Sequence, residues 1–101
     1  RMADGWYGDI QYRLRLYVAG EGGQSEGAVA SIRATCEDRL AGRYELEVID
    51  IRRDPERASA DGILAVPTLV KELPPPVRQL VGDFSDRSKL LVGLGLSEAG
   101  H

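Results

Sequence analysis

The chain has 101 residues, of which 43% are hydrophobic and 29% charged, with a formal net charge of -3. That length suits one domain, since single domains commonly run from about 50 to 200 residues, and the composition supplies one small core while excluding disorder of the whole chain. The net acidity provides no chain-wide cationic field, so neither nucleic acid nor an anionic membrane is an expected partner.

No apolar run approaches the roughly 18 residues needed to span a bilayer, and residues 1–11 lack the apolar core of a signal peptide, so a cytoplasmic location is expected. Arg1 precedes Met2 and is set aside in reasoning about the fold. One domain is expected to fill 1–101, with 1–11 and 97–101 as flexible ends. Cys36 is the single cysteine and His101 the single histidine. An internal disulfide and a Cys/His metal cluster are thereby excluded. No carboxylate run has the spacing of a calcium loop, and no cofactor is expected.

In chain order, Tyr12, Leu14, Leu16 and Val18 alternate with Arg13, Arg15 and Tyr17, the period-two pattern of a strand with one buried face. Gly20, Gly22 and Gly23 break the pattern, and Ser25 is placed to cap a helix on which Val29, Ile32, Cys36 and Leu40 recur at helical spacing. Gly42 ends that helix. Tyr44, Leu46 and Val48 alternate with Glu45 and Glu47, and Ile49 and Ile51 flank Asp50, in a second strand more buried toward its end. Asp54 before Pro55 marks a short second helix ending near Gly62, because proline at the first helical position lacks an amide hydrogen that would be unpaired anyway.

Ile63, Leu64, Val66 and Leu69 surround Pro67, and Val66–Pro67 is a candidate cis bond leading into a third strand. Pro74, Pro75 and Pro76 donate no backbone hydrogen bonds and force an extended connector or tight turn before a fourth strand, Val77–Val81, closed by Gly82 and Asp83. Ser85 is placed to cap a final helix carrying Leu90, Leu91 and Leu94. Gly93 and Gly95 weaken its end by about 1 kcal/mol each relative to alanine. The expected class is α/β with the order βαβαββα. With Val66-Pro67-Thr68 opening the third strand, that order looks like a thioredoxin fold.

A thioredoxin-type enzyme needs a thiolate at the N-terminus of the first helix, where the helix dipole lowers the cysteine pKa. The segment there reads Glu21-Gly22-Gly23-Gln24-Ser25, without sulfur, and Cys36 falls more than two turns further on the apolar stripe. Ser25 has no internal histidine to act as its base. Gly20, Gly22 and Gly23 lack the dinucleotide spacing and the lysine of a phosphate loop, so they read as a turn. Arg13, Arg15 and Arg78 are candidates for a basic surface, and read more simply as the solvated faces of strands.

Leu16-Tyr17-Val18-Ala19-Gly20, Val48-Ile49-Asp50-Ile51, Ile63-Leu64-Ala65 and Pro67-Thr68-Leu69 precede Leu73-Pro74-Pro75-Pro76-Val77-Arg78, Gly82-Asp83-Phe84-Ser85 and Leu91-Val92-Gly93-Leu94. At this spacing they resemble the KaiB family of circadian clock proteins from about Tyr12 to Leu96 without gaps. The triple proline with Gly82-Asp83 downstream is the specific part.

The resemblance implies a non-catalytic regulator that docks on the N-terminal ATPase ring of KaiC and modulates its phosphorylation and ATPase cycle. It also implies two folds from one sequence, a device that needs two packings within a few kcal/mol. One is the thioredoxin-like, binding-competent monomer. The other is a self-associated ground state, tetramer or dimer, with a different C-terminal half. Pro67, Pro74, Pro75, Pro76, Gly82, Asp83, Gly93 and Gly95 are the implied switch or structural positions; Gly95 stands where clock relatives have aspartate.

The implied KaiC-facing surface is the second helix and its surroundings, Asp54, Pro55, Glu56, Ala58, Ser59 and Gly62, with Gly62 where relatives carry lysine. KaiA pairs in clock systems with the second-strand edge, where relatives have small or basic residues. Glu45 and Glu47 stand there instead, which makes KaiA a doubtful partner and implies a system that runs without it. One alternative is the thioredoxin-like sensor domain of a clock histidine kinase, disfavoured by the end of the chain at His101 and by Pro-Pro-Pro-Val-Arg. Another is a thiol-disulfide or glutathione-dependent enzyme, which requires an exposed Cys36 with a lowered pKa.

Overall fold

The computed structural model describes residues 10–20, 22–82 and 84–96. Alternation along the first strand is realised in β1 (Tyr12–Val18), where Tyr12, Leu14, Leu16 and Val18 are buried on one face. Tyr17 is buried on the other face, so the sheet is covered on both sides at that end. Helix α1 (Gly23–Leu40) buries Ala28, Ile32, Thr35, Cys36 and Leu40. Their spacing of three or four residues is one face of a 3.6-residue period. Strand β2 (Tyr44–Asp50) then runs parallel to β1, with Tyr12 opposite Tyr44 and Val18 opposite Asp50. A parallel pair needs a long crossover, which α1 supplies.

Helix α2 (Pro55–Ala60) leads to β3 (Thr68–Leu73), which pairs antiparallel with β1 and with β4 (Arg78–Val81); α3 (Arg87–Gly93) follows. The strand order β2-β1-β3-β4 leaves β2 and β4 as edges. The expected thioredoxin-like βαβαββα order is the one observed. On one face of the sheet Leu14, Leu16, Val18 and Leu69 pack with Ile32, Cys36, Leu40, Phe84, Leu90 and Leu94. The other face carries a smaller cluster, Tyr17, Ile49 and Val70, partly covered by Ala58, Ile63 and Val66. The main core thus lies under α1 and α3, and α2 sits over the lesser one.

Local signals held with shifts at the caps. Val66–Pro67 is cis, as are Leu73–Pro74 and Pro75–Pro76. Lys71, only 4% exposed, donates its ammonium hydrogens to the Pro74 carbonyl and, at 3.0 Å, to the Pro76 carbonyl, which closes the turn. Ser25 does not cap α1: the cap is Gly22, at φ 83°, and the Ser25 hydroxyl donates to the Ala19 carbonyl at 3.4 Å. A glycine turn there makes the helix entry without a side-chain acceptor. Ser85 does not cap α3 either, because Asp86 one residue later accepts from the Lys89 amide at 3.2 Å. Of the ends expected to be flexible, residues 1–9 and 97–101 lie outside the described residues, as does Asp83, whereas the Gln11 amide donates to the Arg43 carbonyl at 2.8 Å.

Candidate functional site

The place where a thioredoxin carries its nucleophile is the start of α1. The described residues there are Gly22, Gly23, Gln24 and Ser25. Cys36 is fully buried in the core beside Ile32 and Leu40. Burial, with Glu37 adding like charge, pushes its thiol up to about 11. A thiol that is neutral at pH 7 and closed off from solvent is a packing group, not a nucleophile.

The surface that the resemblance implies for a partner is α2. Asp54 is its N-cap but makes no side-chain cap bond, Pro55 takes the first turn, and the C-terminus is closed by the Asp61 amide on the Arg57 carbonyl and the Gly62 amide on the Ser59 carbonyl. Gly62 follows at φ 67°, a left-handed conformation that glycine adopts without a Cβ penalty. None of the six helical residues is buried. Asp54, Pro55, Glu56, Ser59 and Gly62 are exposed, while Ala58 is half-buried against the Tyr17 cluster. The residues expected to meet a partner therefore form one continuous surface, except that Ala58 points partly inward.

Glu45 and Glu47 are exposed on the β2 edge strand. Arg57 reaches Glu47 with both terminal nitrogens, at 2.5 and 3.0 Å, and so joins α2 to β2. The Arg57 hydrogen bond holds the Glu47 carboxyl below the usual range. Glu45 pairs instead with Arg13 at 3.1 Å and stands apart from α2. Between α2 and the open half of the sheet lies a cleft of about 550 Å³ lined by Arg13, Arg15, Arg57, Glu45, Glu47 and Glu72. Each of its arginines has a carboxylate partner, so the cleft presents balanced charge.

Asp61 is the meeting point of this face. It accepts from Arg15 Nε at 3.0 Å and from the Tyr17 hydroxyl, and Gln79 donates to its backbone carbonyl at 2.7 Å. Arg15 also donates to Glu72 at 2.6 Å. Burial opposes charge on Asp61, but the hydrogen bonds from Tyr17 and Arg15 outweigh it and hold the carboxyl below its ordinary value. Arg13, Arg15 and Arg78 do not gather into a basic surface. Arg78 lies opposite Lys71, which shares the face of Leu14, while Arg15 engages α2.

The positions that the resemblance implies for fold switching are spread across the C-terminal half. Pro67 is buried at the entrance to β3, and the Gly82 amide donates to its carbonyl at 3.5 Å. Pro74, Pro75 and Pro76 form the turn at the other end of β3. Gly93 is buried on α3, where a Cβ would lie 2.6 Å from both δ carbons of Leu80; Gly95 is exposed at φ 80° with open space around it. Sequence reasoning missed Arg15, Tyr17, Arg57, Asp61 and Glu72 as a connected set, because the pairs bridge residues ten to fifty-seven positions apart. In the loop before β3, Ile63 and Val66 pack toward the sheet, whereas Leu64 is 99% exposed.

The model of the KaiB domain matches residues 15–96. The chain belongs to the KaiB family. The circadian clock oscillator protein KaiB of Prochlorococcus marinus strain MIT 9313 is 51% identical over 85 residues, which cover 84% of this chain and 71% of that protein. The KaiB of Rippkaea orientalis is also 51% identical, over 84% of this chain and 82% of its own length. Among solved structures, the N-terminal domain of Synechococcus elongatus SasA superposes with a TM-score of 0.70 at 22% identity, covering 88% of each chain. Mitochondrial thioredoxin 3 of Saccharomyces cerevisiae gives 0.68 at 12% identity, covering 93% of this chain and 88% of its own. These likenesses show a thioredoxin-like fold, while KaiB membership supports a role as a clock regulator.

Proposed function

We propose that this chain is a non-catalytic regulator that docks on the N-terminal ATPase ring of a KaiC-type protein and modulates its phosphorylation and ATPase cycle. The observation that carries the reading is the KaiB family match over residues 15–96, on a thioredoxin-like frame whose first helix starts at glycine and whose Cys36 is buried. Asp54, Pro55, Glu56, Ala58, Ser59 and Gly62 are the proposed contact residues. Their support is the exposed surface of α2, which uses little of its own area for packing.

Glu45 and Glu47 on the open edge of β2 disfavour capture of KaiA, because a partner strand arriving there meets carboxylates. We therefore place the chain in a KaiB–KaiC system that works without KaiA. In the resting state the C-terminal half, including Pro67, Pro74, Pro75, Pro76, Gly82, Gly93 and Gly95, repacks and the chain self-associates as a tetramer or dimer. The bound form is a monomer with the arrangement described above.

The test is to mix the chain with a KaiC hexamer and nucleotide and follow the mixture for hours by size-exclusion chromatography. Co-elution in a larger complex, with or without KaiA, is the expected result. Persistent separation of the two proteins contradicts the reading.

A further inference from the structure

Helix α2 has little apolar hold on the molecule. None of its residues is buried, and only Ala58, with Ile63 and Val66 of the following loop, packs against Tyr17, Ile49 and Val70. An isolated helix of six residues does not persist in water, since the cost of nucleation outweighs the few bonds it forms. The attachments that remain are polar: Arg57 pairs with Glu47 of β2, the Tyr17 hydroxyl lies 3.3 Å from the Arg57 carbonyl, and the others converge on the residue that ends the helix. Arg15 and Tyr17 of β1 both bond the Asp61 carboxylate, Arg15 extends the link to Glu72 of β3, and Gln79 of β4 bonds the Asp61 carbonyl. The side chains of Arg15 and Asp61 are 18% and 26% exposed, against 43% and 53% for Arg57 and Glu47. Solvent and salt therefore screen the Arg15–Asp61 pair less than the outer one.

We propose that Arg15, Tyr17, Asp61 and Glu72 form a polar clasp that sets the pose of α2, and that opening it frees α2 and residues 61–66 while α1 and β1 stay folded. The consequence for partner binding rests on reading α2 as the docking surface; the clasp itself is a property of the isolated chain. Local opening of this kind is expected where apolar contact is sparse and polar ties are few.

The clasp is sensitive to pH on both sides. Asp61 faces Arg15 and Tyr17 from β1, Glu72 from β3, and Arg57 from α2, with Glu47 of β2 behind Arg57. Its folded pKa lies below the unfolded value of about 4, so its contribution is complete above that pH and is lost as pH falls through the folded value. The Tyr17 hydroxyl, raised by burial and by Asp61, contributes fully below about pH 10 and loses its donated hydrogen as pH rises through its folded value.

Hydrogen exchange on the full-length isolated chain at pH 7 tests the proposal. The reporters are the amides of Ala58, Asp61, Gly62 and Ile63, each hydrogen-bonded within α2 or its closing turn. Tyr17→Phe and Asp61→Ala are expected to speed exchange at these amides by about tenfold while leaving β1 close to wild type. Unchanged reporters, or an equal rise across β1 and α1, overturn the clasp. If a variant does not fold, protection factors of the wild type followed toward pH 3 decide the matter: early loss at the reporters is expected, and simultaneous loss everywhere contradicts it. Looser reporters with unaltered binding to the ATPase ring would uphold the clasp and count against α2 as the docking surface.

Discussion

At the residue scale, Cys36 separates this chain from the enzymes whose fold it shares. A nucleophilic thiol needs exposure and a lowered pKa, and Cys36 has neither. A thiol-reactive dye is expected to label Cys36 only in denaturant, and Cys36→Ser is expected to leave disulfide reductase turnover at the same background as wild type. Labelling of the native protein at the rate of a free thiol would contradict this account. Gly93 makes a second prediction at this scale. A Cβ there already meets both δ carbons of Leu80 at 2.6 Å, so the branched side chain of Gly93→Val forces Leu80 from its place. Overpacking of this kind costs about 1–3 kcal/mol, to be read as a lower denaturant midpoint with unchanged slope.

At the scale of elements, the short helices depend on their ends. The α3 cap is a single carboxylate–amide bond, Asp86 to Lys89, and Asp86→Ala is expected to lower stability by about 1 kcal/mol. In a domain of this size that is a drop of roughly 4–8 °C in Tm, measurable by circular dichroism. By contrast, Arg57→Ala removes an exposed pair and is expected to change global stability by less than about 1 kcal/mol. The elements themselves were legible in the sequence because Tyr12 to Val18, the α1 stripe from Ile32 to Leu40 and Asp54-Pro55 are local patterns. The α3 cap fell one residue away, since Ser85 and Asp86 are both good caps and only the path of the chain selects between them. The Arg15–Asp61–Glu72 links were not legible, because period two marks Arg15 as outward-facing without saying that a helix will cover it.

At the scale of the whole molecule, the family is KaiB and the frame is thioredoxin-like with no thiol at the start of its first helix. Among the described residues no helix is long and apolar enough to cross a membrane. The main core joins β1, β3, α1 and α3, and α2 is left on the outside, attached by ion pairs and by a small apolar cluster. That division of labour suits a surface reserved for a partner. The candidate site could be placed in the sequence only through the resemblance, since Asp54 to Gly62 carries no catalytic pattern of its own. The most direct measurement is an NMR titration of the isotope-labelled chain with a KaiC hexamer and nucleotide, comparing amide hydrogen exchange before and after binding. The account predicts that protection rises at Glu56, Ala58, Ser59 and Gly62. A complex that protects the exposed side of α1 and leaves α2 unchanged, or no complex at all, would contradict it.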